Sequence, residues 1–301
     1  MLSRGWSYAG AVALGLALVV AHGARGAATP ARWIVFTAHP SGAGAAQLFR
    51  VQTSGEGLAQ FTTGRLPATA PAFAPDGQRL AFSRLGSGLF RVNLDGTSLR
   101  RLTNGGRDSY PAWSPDGRRI AFVRPYRKEW RVYVMAAAGG KPRRLRLSPP
   151  AGRPTWTADG KGILTPSAGD LVRIDARTGR PLRYYGLTLD PVTAQTAALS
   201  PNARDVAYVG PRVSTGPEDC GEGPCPQFGL YLARVPPPHR PRRIVNDTGP
   251  AGWSPDGRTL AYVSRGALAL RPAVKAAAKP TPIQVGGHVA TGDAPPAWQP
   301  R

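Results

Sequence analysis

Four acidic residues recur in one setting: Asp76, Asp116, Asp159 and Asp256, each followed by a glycine, Gly77, Gly117, Gly160 and Gly257, with Asn202 at the matching place of a fifth copy. Five oxygen donors at regular spacing have the make-up of a calcium ladder, because hard cations take carboxylate and amide oxygens. Their setting gives them another task. In Pro-Asp-Gly the Asp side chain accepts a backbone N–H two residues on, and the Gly supplies the positive φ of a tight hairpin. These eight Asp and Gly are read as turn residues, and no metal site is assigned. The four histidines, His22, His39, His239 and His288, fall in unrelated segments. No Gly-x-Ser-x-Gly elbow is present and no Ser-His-Asp set is positioned, so no catalytic residue and no cofactor are assigned and the chain is read as not an enzyme.

The turns belong to a longer phrase. Pro71-Ala-Phe-Ala-Pro-Asp-Gly77 precedes Leu80-Ala-Phe82, and Pro111-Ala-Trp-Ser-Pro-Asp-Gly117 precedes Ile120-Ala-Phe122. Related copies start at Pro154, Ala197 and Ala251, and Pro296-Ala-Trp-Gln-Pro300 opens a sixth. The aromatic or Leu of each copy falls at 73, 113, 156, 199, 253 and 298, giving spacings of 40, 43, 43, 54 and 45 residues. Periods of about 40–45 residues rich in short strands are the signature of propeller blades. Within one period Ala112–Ser114, Arg119–Val123, Arg131–Val134 and Arg143–Arg146 read as strands A to D, with turns at Pro115-Asp-Gly and Gly139-Gly140. Near the N-terminus Ile34–Phe36, Leu48–Val51 and Leu58–Phe61 match strands B, C and D without a strand A. The sixth phrase is a strand A with nothing after it. The expectation is therefore all-β, a six-bladed β-propeller whose composite blade is closed by N- and C-terminal strands. Its blades span about 29–64 plus 294–301, 69–104, 109–147, 152–186, 194–246 and 249–286.

The phrase Pro-Ala-Trp-Ser-Pro-Asp-Gly-x-x-Ile-Ala-Phe resembles the TolB-like, WD40-like (PD40) propeller repeats, over about residues 32–301. TolB carries a further α/β domain ahead of its propeller, and propeller peptidases carry a hydrolase domain. Neither is expected here. The resemblance implies a noncatalytic extracytoplasmic propeller that serves as a protein- or glycan-binding scaffold at the cell envelope. The alternative it implies is a propeller enzyme acting on acidic polysaccharide, similar to oligogalacturonate lyases. Fold does not fix function, and the partner of TolB is not carried over.

Residues 1–28 read as a signal peptide: Arg4, then the apolar run Ala11–Ala21, then the small residues Ala24, Gly26, Ala27 and Ala28. The run is short for a membrane span, so the expectation is an exported protein, periplasmic or extracellular, with no stable span after cleavage. Export to an oxidising compartment makes a disulfide the default for Cys220 and Cys225, which lie in the insertion that lengthens one spacing to 54 residues. The formal net charge is +22, and 34 of the 39 basic residues are arginine. Arg100-Arg101, Arg143-Arg144 and Arg242-Arg243 occupy matching strand-D positions, where charge blocks edge-to-edge pairing. A field of this size also draws polyanions. The expected partner is an envelope protein or an anionic glycan or wall polymer, bound by a monomer. No nucleic-acid motif accompanies the charge.

By analogy with other propellers, a ligand would meet the ring at the channel mouth reached by the loops from strand D to the next strand A. Those loops carry Arg65, Arg107, Asp108, Tyr110, Arg153, Gln195, Asp247 and Asp293. This mixed set can hold a sugar or a peptide terminus, or can be a solvated rim. Trp113, Trp156, Trp253 and Trp298 recur in register and are read as core.

Overall fold

The computed structural model describes residues 32–40, 44–127, 129–147, 152–186, 197–202, 204–211, 228–234, 241–246, 248–273, 280–285, 288–290 and 294–300. The leader, Cys220, Cys225, Gln195, Asp247 and Asp293 lie outside the described residues.

Six antiparallel sheets form a six-bladed β-propeller. Blade 2 is β4 (Ala68–Phe73), β5 (Arg79–Arg84), β6 (Gly88–Asn93) and β7 (Arg100–Arg101), and blade 3 is β8 (Ser109–Trp113), β9 (Arg119–Tyr126), β10 (Glu129–Ala136) and β11 (Arg143–Arg144). Blade 4 is β12 (Thr155–Trp156), β13 (Gly162–Ser167), β14 (Asp170–Asp175) and β15 (Pro181–Tyr184). Blade 5 is β16 (Ala198–Leu199), β17 (Asp205–Pro211), β18 (Phe228–Arg234) and β19 (Arg242–Asn246). Blade 6 is β20 (Gly252–Trp253), β21 (Thr259–Ser264), β22 (Ala267–Pro272) and β23 (Thr281–Ile283). In these five blades the strands follow chain order from A to D.

Blade 1 joins the two ends of the repeat array. Its strands β1 (Trp33–His39), β2 (Gln47–Gln52) and β3 (Ala59–Gln60) are completed on the inner side by β25 (Ala297–Trp298), with Ile34 opposite Trp298 and Val35 opposite Ala297. A second inner piece, β24 (Val289–Ala290), pairs with His39 and Ala38. It is two residues long and falls ahead of the phrase that flags strand A, so the repeat does not mark it. Gln299 locks the join. Its N–H donates to the Trp33 carbonyl at 2.9 Å, its Oε1 accepts from Trp33 N–H at 3.3 Å, and its Nε2 donates to the Gly77 carbonyl of blade 2 at 3.1 Å.

The apolar core is divided into six clusters, one between each pair of neighbouring blades. Strand B feeds both sides of its sheet: Ile120 and Phe122 face blade 2, and Ala121 and Val123 face blade 4. This is the pattern of a strand buried on both faces. The tryptophans add a directed link. The indole N–H of Trp113 donates to the Ala72 carbonyl, that of Trp156 to Ala112, that of Trp253 to Ala198 and that of Trp298 to Gly252, at 2.9–3.2 Å. Each acceptor is the residue just before the ruler position of the preceding blade. Phe73 and Leu199 have no indole, so the interfaces between blades 1 and 2 and between blades 4 and 5 lack this bond.

Each phrase turns on the same device. The Oδ1 of Asp76, Asp116, Asp159, Asn202 and Asp256 accepts the N–H two residues on at 2.9–3.0 Å. Gly77, Gly117, Gly160 and Gly257 follow with φ of 63–68°. A hydroxyl two residues before the Asp or Asn completes the turn. Ser114, Thr157, Ser200 and Ser254 each donate to the Asp or Asn side chain and accept the backbone N–H five residues on. Blade 2 has Ala74 there.

Candidate channel-mouth site

The strands A surround a central cavity of about 380 Å³. Its wall includes Pro71, Pro111, Pro154 and Pro296 and the four repeat tryptophans, and Arg153 is the one charged side chain among the described lining residues. The residues that open strand A and those that end it both contribute, so the cavity follows the channel axis.

Backbone bonds hold the loops of the mouth in place. Gly86 in the B–C turn of blade 2 donates to the carbonyl of Gly106 in the next D–A loop at 2.8 Å. Gln47 Nε2 donates to the carbonyls of Gly64 and Leu66 at 3.0 and 3.2 Å, which fixes the loop that carries the exposed Arg65. Gly152 donates to the Pro166 carbonyl at 2.7 Å and accepts from Thr165 Oγ1 at 2.8 Å. Arg153 therefore leaves from an anchored backbone.

The strand entrances are strained. Ala70 and Tyr110 have φ of 51° and 54°, a region that non-glycine residues enter rarely. Each precedes the Pro that opens the repeated phrase. Between Thr69 and Ala72, and again between Ser109 and Ala112, three steps on strand A face two on strand B. This is a β-bulge, which kinks a strand and re-aims its side chains. Strain of this kind collects at functional positions.

Asp108 and Arg153 have opposite surroundings. Asp108 is fully buried. Its carboxylate takes the Nε and Nη2 of Arg124 at 2.6 and 2.7 Å, and the Thr103 hydroxyl also donates to it. The Asp108 hydrogen bonds raise the Arg124 guanidinium above its usual value. Both charges are thereby committed to each other. Arg153 has a buried Nη1 without a hydrogen-bond partner, and no carboxylate pairs with it among the described residues. Burial pushes its guanidinium down to about 10, and the Tyr110 phenol acts in the opposite sense.

Of the predicted residues, the structure brings Tyr110 to Arg153, turns Asp108 inward, and leaves Arg65 and Arg107 exposed. The Arg107 guanidinium lies over the Trp130 ring at 5.6 Å. Trp130 sits on the hairpin of β9 and β10, whose strands of eight residues each outrun the five and four expected. Beyond it the exposed Tyr126 ring carries Arg144 at 4.0 Å and Arg127 at 5.5 Å. Sequence reasoning missed Arg124, Thr103 and Trp130. Arg84 and Arg124 hold the same place after strand B in adjacent copies, and that recurrence was the available signal. The described histidines lie in blade 1: His39 Nδ1 meets the Gly44 carbonyl at 3.0 Å, and the His288 ring lies 4.4 Å from Phe49.

Comparison with solved structures returns TolB chains among others. TolB from Acinetobacter baumannii superposes with a TM-score of 0.67 at 18% identity, over 90% of this chain and 67% of that one. A putative TolB from Agrobacterium tumefaciens gives 0.62 at 15% identity, over 89% of this chain and 95% of that one. A chain of a nidogen/laminin complex gives 0.64 at only 10% identity, over 89% and 98%. At such identities the likeness is one of fold. A search of curated protein sequences gives no match. The model of the TolB β-propeller domain, PD40, matches residues 34–213, more than half of the chain, and with the repeat, the six blades and the shared turn in place the chain belongs to that family.

Proposed function

We propose that the chain is a noncatalytic scaffold of the extracytoplasmic envelope that binds a protein or an anionic glycan at the D–A mouth of its channel. The observation that carries this reading is Arg153. A half-buried cation with one buried, unpartnered N–H and no counter-charge among the described residues is costly, and a fold keeps one where a ligand supplies the missing anion. The exposed Arg65 and Arg107 widen the positive field around the mouth and speed the approach of an anionic partner. The paired arginines of the D strands lie at the outer edges, where their charge guards against edge pairing.

The test separates mouth from rim. The full chain, as wild type and with Arg65→Glu plus Arg107→Glu, is used to retrieve partners from an envelope extract of its source. A control carries Arg100→Glu plus Arg242→Glu on the outer edge. Loss of the partner with the mouth variant and retention with the edge variant is expected. Equal loss with both would reduce the interaction to bulk charge.

A further inference from the structure

We infer that the channel receives the C-terminal end of a polypeptide, whose terminal carboxylate is held by Arg153. The inference rests on the scaffold reading and narrows its ligand.

Three features of the wall favour a peptide end over an acidic glycan. The first is the number of charges. A polyuronate repeats its anion at every sugar and needs a cation at each step, whereas the described wall offers one. A peptide that ends in apolar residues carries one anion at its tip. The second is polarity. A sugar brings hydroxyls around its whole ring, and each loses water on entry and needs a partner. The wall meets it with Pro71, Pro111, Pro154 and Pro296, which have no N–H to give. The polar groups that do line it are largely occupied. Ser200 is tied to Asn202 and Asp205, and the carbonyls of Ala72, Ala112, Ala198 and Gly252 already accept tryptophan N–H groups. The third is size. A cavity near 380 Å³ is in the range that encloses a small ligand or a short chain end, not a folded surface.

The guanidinium suits the task. It is planar, presents a fork of N–H donors and matches a carboxylate in two parallel bonds. Its backbone is fixed at Gly152, so little ordering is left to do on binding. The Asp108–Arg124 pair shows the same geometry satisfied within the protein, one loop away.

The experiment uses the full chain and a random array of heptapeptides anchored by their N-termini, each made with a free carboxylate and as the C-terminal amide. Peptides that bind are then titrated in solution, with the channel tryptophans as the reporter and hexagalacturonate as competitor. A free acid is expected to bind about tenfold or more tightly than its amide, the worth of one charge-assisted hydrogen bond. Arg153→Met should erase that ratio while keeping the fold, checked by its melting curve. Hexagalacturonate should not displace the peptide. Equal binding of acid and amide, an array without any acid-selective spot, or displacement by hexagalacturonate would each overturn the inference. Equal binding of acid and amide, together with partner loss in the Arg65 and Arg107 variant, would leave the scaffold standing without its channel ligand. Acid selectivity together with unaltered retrieval by that variant would keep the channel ligand and remove Arg65 and Arg107 from the binding surface.

Discussion

Asp108 and Arg153 lie on neighbouring D–A loops, and their substitution should move stability in opposite directions. Asp108→Ala strips Arg124 of its bidentate partner and leaves a cation that is only partly exposed. Breaking such a pair from one side costs about 3 kcal/mol or more, so the melting temperature should fall by several degrees in a calorimetric scan. Arg153 has no carboxylate partner to lose among the described residues. The folded chain holds its proton less tightly than the unfolded chain, because its value falls from 12.5 to about 10. For a base, that difference is a penalty on the folded state at every pH below about 10, and it lifts only in strong alkali. At about 1.4 kcal/mol per unit the shift sets an upper bound of about 3.5 kcal/mol, and solvent screening lowers it because the side chain is only half-buried. Arg153→Met should therefore be neutral or raise the melting temperature at pH 7. A loss of several degrees would assign Arg153 to the scaffold of the fold. Neither behaviour was legible in the sequence, where Arg107-Asp108 and Arg153 look alike as polar loop residues before a repeat. Only the packing of Arg124 against one, and of nothing acidic among the described residues against the other, tells them apart.

At the scale of the strand, the repeat phrase carried nearly all of the information. Its aromatic, or Leu199 in blade 5, marks strand A in each blade, and its Asp and Gly sit in the A–B turn. The hydroxyl before each Asp could have been read too, since Ser114, Thr157, Ser200 and Ser254 stand two places ahead of it and only Ala74 departs. The bulges at Ala70 and Tyr110 could not, because a residue before Pro is biased toward extended backbone and nothing local announces a positive φ. The tryptophans lead to a prediction about Leu199. It holds the ruler position in blade 5 without an indole, so the cluster between blades 4 and 5 lacks the N–H-to-carbonyl link present at four other joins. Leu199→Trp would aim an indole at the Thr155 carbonyl, which precedes Trp156 as Ala112 precedes Trp113. One added bond of this kind contributes about 1 kcal/mol, so the expected outcome is a rise of a few degrees in melting temperature. Hydrogen exchange in blades 4 and 5 should slow with it. A drop would show that the seam has no room for the larger ring.

For the molecule as a whole, closure is the decisive property, because a closed ring leaves only short outer edges unpaired. Deletion of residues 294–301 removes β25 and the Gln299 bonds, and it bares the inner side of β1 beside the cluster formed by blades 1 and 6. The truncated chain should melt earlier, with a broader transition, and should bind a dye for exposed apolar surface. An unchanged, cooperative melt would mean that β24 alone closes the ring. The blade count was legible because two incomplete fragments sum to one blade. The split of its inner strand into β24 and β25 was not, since two residues are too few to carry a pattern.

The bond between Trp33 and Gln299 spans 266 positions of sequence. Chains emerge from the ribosome N-terminal end first, so Ile34 and Val35 are among the first strand residues made and the last to acquire their inner neighbours. Loop closure over such a distance must precede any reward from the contact, which slows the final step of folding. During that interval one apolar strand waits with an open side. The window for misassembly, and for rescue by a chaperone, is thus set by the time that β1 spends waiting for β25 to be made.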